Sequence, residues 1–169
     1  ITAVCDPEKD GRNYVSWAKG LVAGTIRGIL NDPDWRKGID YVPGGRDVAR
    51  EVVNAYYAKN RASEDFKGVN AYADFREMLE KESIDAVKIM TPDHLHGIIA
   101  VRSMQKGIHV ITHKPLSNRM SEVKKVIDTA AETKVATYFM PWNSWSPIDK
   151  ITGWIDESDW CFETGRLFK

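Results

Sequence analysis

Apolar positions along the 169-residue chain mark out short strands alternating with amphipathic helices. Residues 1–5 are β-branched or small and apolar, and Asp6-Pro7 stops them as at the tip of a short buried strand. Tyr14, Ala18, Leu21, Val22 and Ile29 form a helical stripe over 12–30, broken by Asn31-Asp32-Pro33-Asp34. Residues 35–45 lack a period and are rich in turn formers, which predicts a loop. Gly44-Gly45 leads into a helix over 46–59 with Val48, Val52, Val53 and Tyr56 on one face. A strand is expected at 69–72, and Asp74 and Glu77 have capping-box spacing for a helix reaching about residue 82.

The second half repeats more regularly. Residues 84–90 are nearly all apolar, as in a strand covered on both faces. A helix over 94–106 presents Leu95, Ile98, Ile99, Arg102 and Met104 and stops at Gly107. A strand at 108–112 follows. Then comes a helix over 118–134 burying Met120, Val123, Val126, Ile127, Ala130 and Ala131, and a strand at 135–140. Residues 141–147 read as a turn, with Ser146 and Pro147 starting a helix that uses Ile148, Ile151 and Ile155. The alternation predicts an α/β chain with a doubly wound parallel sheet. Strands joined by a crossover helix run parallel, so the turns after 90 and after 112 leave the same carboxyl edge, where such sheets bind ligands.

Composition narrows the classes. The 24 basic and 24 acidic residues cancel, so nothing points to nucleic acid or a membrane surface. Cys5 and Cys161 are too few for a disulfide framework, and a reducing, cytoplasmic setting is expected. No apolar run approaches the roughly 18 residues of a membrane span. Ile1 opens the chain without Met or a basic leader, so it is expected to begin in mid-protein.

Chemistry concentrates at the strand tips. Asp6 stands where a dinucleotide fold hydrogen-bonds the adenosine ribose, although Asp-Pro after a strand is more often a plain turn. The glycine-rich fingerprint should precede Asp6 by about 20 residues and is not present. Gly44-Gly45-Arg46 opens a helix whose N–H groups are chemically able to hold an anion, but such a pair usually serves the turn. Thr91-Pro92 fixes the chain leaving its strand. His96 falls in the next helix's first turn, where the positive dipole end favours neutral imidazole; the bland reading is a locally bonded histidine. His94, His96, His109 and His113 invite a metal reading, but His-x-His on a helix splits the rings between faces, so no metal is expected. Lys114, between a strand end and Pro115, points to polarisation of a ligand oxygen, against the alternative of a surface lysine.

The ordered run Tyr72-Ala73-Asp74-Phe75, Ile84-Asp85-Ala86-Val87, Thr91-Pro92-Asp93-His94-Leu95-His96, Gly107-Ile108-His109-Val110 and Lys114-Pro115-Leu116 resembles the N-terminal half of the Gfo/Idh/MocA oxidoreductases. These are the glucose-fructose oxidoreductase and inositol dehydrogenase family. The resemblance covers 69–141 well and 1–6 plausibly. It implies a Rossmann-like fold lacking the usual first strand and Gly-rich loop, bound to NAD or NADP, with NAD favoured by Asp6. It also implies a sugar- or cyclitol-like substrate and hydride transfer, with a non-catalytic nucleotide-binding or interaction module as the alternative, and leaves room for a homo-oligomer of a longer protein. Asp6 would meet the ribose; Thr91, Pro92, His96 and Pro115 would line the cofactor; Lys114, with His113 beside it, would reach nicotinamide and substrate. His113 replaces the family's glutamate and changes the charge beside Lys114. On this resemblance residues 1–142 form a partial dinucleotide-binding domain with an insertion at about 7–68, and 143–169 begin a truncated substrate domain. Asn143 and Trp145 would lie at its entrance. In the usual strand order the missing strand is central. Its loss leaves an unpaired edge beside 84–90, or else residues 1–5 pair directly with 84–90.

Overall fold

The computed structural model describes residues 1–13, 19–60 and 66–140, in two compact units, Ile1–Ile84 and Asp85–Lys169. The expectations for Tyr14, Ala18, Asn143, Trp145, the helix after Pro147 and the domain start at 143–169 lie outside the described residues.

In the first unit, β1 (Ala3–Cys5) is followed by β2 (Gly11–Asn13), α1 (Lys19–Leu30), β3 (Val42–Gly44), α2 (Arg46–Asn60), β4 (Asn70–Tyr72) and α3 (Phe75–Lys81). β1 and β4 run parallel, with Ala3 opposite Asn70 and Cys5 opposite Tyr72. β2 and β3 form a separate antiparallel pair, with Gly11 opposite Gly44. That pair falls where a loop and the start of a helix were expected. Val-Pro-Gly carries no strand signal of its own, and only the distant partner makes it one. The core here is Ala23, Ile26, Val42, Val48, Val69 and Leu79. α1 buries Ala23 and Ile26, while Leu21, expected inside, is 76% exposed. Asp74 caps α3 by accepting from the Arg76 N–H, and Glu77 reaches forward to Lys81, so the capping box is half made.

In the second unit β5 (Ala86–Ile89), α4 (Asp93–Gln105), β6 (His109–His113), α5 (Met120–Thr133) and β7 (Thr137–Met140) build one parallel sheet in the order β5-β6-β7. Its core is Val87, Ile89, Ile99, Ala100, Met104, Ile108, Val110 and Val126. β5 is not covered on both faces. Val87 and Ile89 are buried while Ala86 and Lys88 are exposed, because the described elements pack on one side only. On the helices, Ile98, Met120 and Ile127 are exposed, and the buried positions include the polar His96, Ser103 and Thr129. Ser103 and Thr129 become tolerable inside by bonding carbonyls one turn back, at Ile99 and Lys125. Hydropathy alone places such residues outside, which rotates the expected stripe away from the true one.

Within the first unit β1 pairs with β4, and within the second β5 pairs with β6.

Candidate functional site

The second unit brings the two polar turns together at one carboxyl edge. β5 and β6 are parallel and in register from Ala86 opposite His109 to Ile89 opposite Thr112, so Thr91 and Lys114 both leave the sheet on the same side. Pro92 is the N-cap of α4 and its carbonyl accepts from the Leu95 N–H at 2.9 Å, which starts the helix directly over the turn. His96 lies one turn in and is buried, 1% exposed. Its Nε2 is 2.8 Å from the Thr91 carbonyl oxygen and its Nδ1 is 2.5 Å from the Pro115 carbonyl oxygen. One imidazole therefore bridges both turns.

β6 continues into the second turn without a break. The Lys114 N–H donates to the Met140 carbonyl at 3.1 Å, extending the β6–β7 ladder by one bond. The Lys114–Pro115 peptide is cis, and His113, Lys114 and Pro115 are all half-buried. Nδ1 of His113 stands 3.4 Å from the Lys114 carbonyl oxygen. The chain then turns at Ser117, whose hydroxyl donates to Glu122 on α5 and accepts from the Arg119 N–H at 3.3 Å. Gly97 lies under this turn: a Cβ there would sit 3.6 Å from the Ser117 Cβ and 3.7 Å from the Leu116 carbonyl oxygen. Ser117, Glu122 and Gly97 went unnoticed in the sequence, because their roles come from packing of α4 on α5 and no short motif announces it.

The first unit holds Asp6. Its backbone N–H donates to the Tyr72 carbonyl at 3.0 Å, and Oδ1 accepts from the Glu8 N–H at 2.8 Å, so Asp6 does serve a turn. Oδ2 carries no hydrogen bond among the described residues. Asp6 and Cys5 line a cavity of about 310 Å³ with Val4, Pro43, Arg46 and Val52. Burial, then the carboxylates of Asp74 and Asp6, push the Cys5 thiol up to about 11. The N–H groups of Arg46 and Asp47 at the start of α2 donate to the Glu8 and Lys9 carbonyls, each at 3.0 Å. They are occupied, and an anion has no place there. Arg46 adds its guanidinium to the Asp6 and Pro7 carbonyls at 3.1 and 2.7 Å, a tie that nothing in the sequence announced.

In the first unit one Asp6 carboxylate oxygen is left over from the turn, and in the second Lys114 directly follows the last residue of β6. No Gly-x-Gly-x-x-Gly occurs in the chain, so a glycine cradle for a pyrophosphate is not among these residues. Among the described residues no group of three His, Cys, Asp or Glu could hold a metal ion, and no helix is long and apolar enough to cross a membrane.

The chain is 33% identical over 66 residues to levoglucosan dehydrogenase from Pseudarthrobacter phenanthrenivorans, a match covering 39% of this chain and 17% of that protein. It is 29% identical over 112 residues to scyllo-inositol 2-dehydrogenase (NADP(+)) IolU from Bacillus subtilis, covering 60% of this chain and 34% of that one. The chain thus spans well under half the length of these relatives. The crystal structure of a dehydrogenase from Chromobacterium violaceum matches 94% of the chain and 33% of its own with a TM-score of 0.53 at 18% identity, a likeness of fold. Residues 29–140, more than half of the chain, match the family model described as an oxidoreductase family with an NAD-binding Rossmann fold, GFO_IDH_MocA, and the chain belongs to that family.

Proposed function

We propose that the chain serves an NAD(P)-dependent oxidoreductase that moves hydride between a sugar- or cyclitol-like alcohol and nicotinamide. The observation that carries this reading is the position of Lys114. It extends a parallel strand at the carboxyl edge, backed by the His96 bridge, in a chain of an NAD-binding oxidoreductase family. The nicotinamide, when bound, supplies the hydride acceptor. Nζ of Lys114 would donate a hydrogen bond to the reacting oxygen and stabilise the negative charge that develops there as the alcohol's O–H proton passes to solvent, giving the alkoxide from which hydride leaves. His113, next in the chain and half-buried, replaces a carboxylate as the neighbour that sets the charge around Nζ. Thr91, Pro92, His96 and Pro115 shape the wall against which a flat ring would rest. In the first unit, Asp6 accepts from the ribose hydroxyls and repels a 2′-phosphate, which favours NAD over NADP. The names of the matched relatives, levoglucosan and inositol dehydrogenases, support a polyol-like substrate.

The test is turnover of a panel of polyols and anhydrosugars with NAD and NADP, with Lys114→Ala and Asp6→Ser beside the native protein. Lys114→Ala is expected to lower kcat on the order of 100-fold with little change in cofactor binding. Asp6→Ser is expected to shift the cofactor ratio toward NADP about 10-fold. Native activity in Lys114→Ala would remove the role given to that residue. A second reading, a nucleotide-binding or interaction module without catalysis, draws on the occupied N-terminus of α2. NADH fluorescence separates the two, since binding without turnover of any alcohol in the panel selects the second.

A further inference from the structure

His96 makes two contacts that a neutral histidine cannot satisfy together. Its ring is 1% exposed, with Nδ1 2.5 Å from the Pro115 carbonyl oxygen and Nε2 2.8 Å from the Thr91 carbonyl oxygen. Main-chain carbonyls accept hydrogen bonds and cannot donate them. A neutral ring has one N–H and one lone pair, so either tautomer would aim a lone pair at one of the two oxygens. The imidazolium has an N–H on each nitrogen and satisfies both. We propose that His96 is a positioning residue which, as its imidazolium, donates to both carbonyls and thereby ties the turn after β5 to the turn after β6.

The proposal goes beyond the oxidoreductase reading and stands without it, since it rests on the ring and two carbonyls alone. It departs from the expectation drawn from the helix dipole. The positive end of α4 opposes a charge on the ring, but two charge-assisted bonds to carbonyl dipoles favour it at shorter range. The elements packed against α4 are β5, β6 and α5; the ionisable residues are Asp93, His94 and Arg102 on α4 itself and Lys88 on β5. His109 and His113 lie on β6, Lys114 follows it, and α5 carries Glu122, which accepts from the Ser117 hydroxyl, with Lys124, Lys125, Asp128 and Glu132 further along. His109 offers a contrast inside the same sheet. Its Nδ1 accepts from the Ala136 N–H at 3.1 Å and so must keep a lone pair.

The test is a long-range proton–nitrogen correlation spectrum of the 169-residue chain labelled with ¹⁵N-histidine and ¹³C-carbonyl leucine. His96 is the histidine that follows a leucine, so the Leu95–His96 pair assigns it without a variant. The expected result at pH 7 is two protonated nitrogens at His96 beside a bare Nδ1 at His109. When raising the pH removes the second proton, the ¹³C shifts of the Thr91 and Pro115 carbonyls, labelled in a second sample, move with the same midpoint. A two-proton pattern that lasts to the alkaline limit of folding also supports the proposal. A one-proton pattern at His96 at pH 7, or carbonyl shifts that stay put when the proton leaves, overturns it.

Discussion

The strand tips of the two units are held by different means. At Asp6 the backbone does most of the fastening, the Glu8 and Lys9 carbonyls receiving the first N–H groups of α2 and the Tyr72 carbonyl the Asp6 N–H, while the Asp6 carboxylate and the Arg46 guanidinium spread side-chain bonds over two residues. At Thr91 and Pro115 the fastening passes through one side chain, the ring of His96. A tip held by backbone is sensitive to residues that set φ and ψ and tolerant of most side chains. A tip held by one ring concentrates its sensitivity at one position.

The largest effect expected from this contrast is at His96. His96→Ala leaves two carbonyls without their partner and a cavity in the place of the buried ring, and should cost about 3 kcal/mol in urea unfolding of the chain. A loss below about 1 kcal/mol would mean that the turns hold without the ring.

Chemical reactivity sharpens the other side. With the Cys5 thiol at about 11 against a usual 9.0, its thiolate fraction at pH 8 falls about 100-fold, and alkylation should slow by the same factor relative to a free thiol. Because the raised value reflects a disfavoured anion, the rate should climb as pH rises toward 11. Peptide mapping after iodoacetamide separates Cys5 from Cys161. A rate equal to that of a free thiol would show that burial and the Asp74 and Asp6 carboxylates do not act on it.

The backbone fastening itself breaks at Gly45. Its φ is +97°, and a Cβ there would stand 2.9 Å from the Lys9 carbonyl oxygen, the same group that receives the Asp47 N–H. Gly45→Ala should cost about 2 kcal/mol, read as a lower urea midpoint. Gly97→Ala in the other unit adds a Cβ at ordinary contact distance and should stay within about 0.5 kcal/mol. Equal losses at the two glycines would erase the distinction.

The smallest change runs the other way. Gly24 lies in the middle of α1 on an exposed face, and a Cβ added there meets nothing. Gly24→Ala should stabilise by about 0.5–1 kcal/mol through helix propensity, seen as a higher midpoint.

The second unit was the more legible of the two in the sequence. Strands of four and five residues separated by helices of 13 and 14 leave a strong periodic trace; β5, α5 and β7 fall within the expected spans, and α4 and β6 each run one residue beyond theirs. In the first unit β2 and β3 have three residues each and no alternation, so their pairing exists only through partners some 30 residues apart. At the site, Lys114 and Thr91 could be placed at the strand ends from local pattern, because parallel strands joined by a helix must emerge on one edge.

By itself the sequence determined the alternation, the strand ends at Asp6, Thr91 and Lys114, and the family. The tertiary structure decided that β1 takes β4 as its ladder partner and β2 takes β3, that Leu21, Met120 and Ile127 face outward, and that His96, Ser103 and Thr129 face inward. It decided also that both nitrogens of His96 meet carbonyl oxygens. Periodicity reports how each residue compares with its neighbours in water, whereas a buried polar group is stable only if a partner is waiting, and that partner is chosen by the fold.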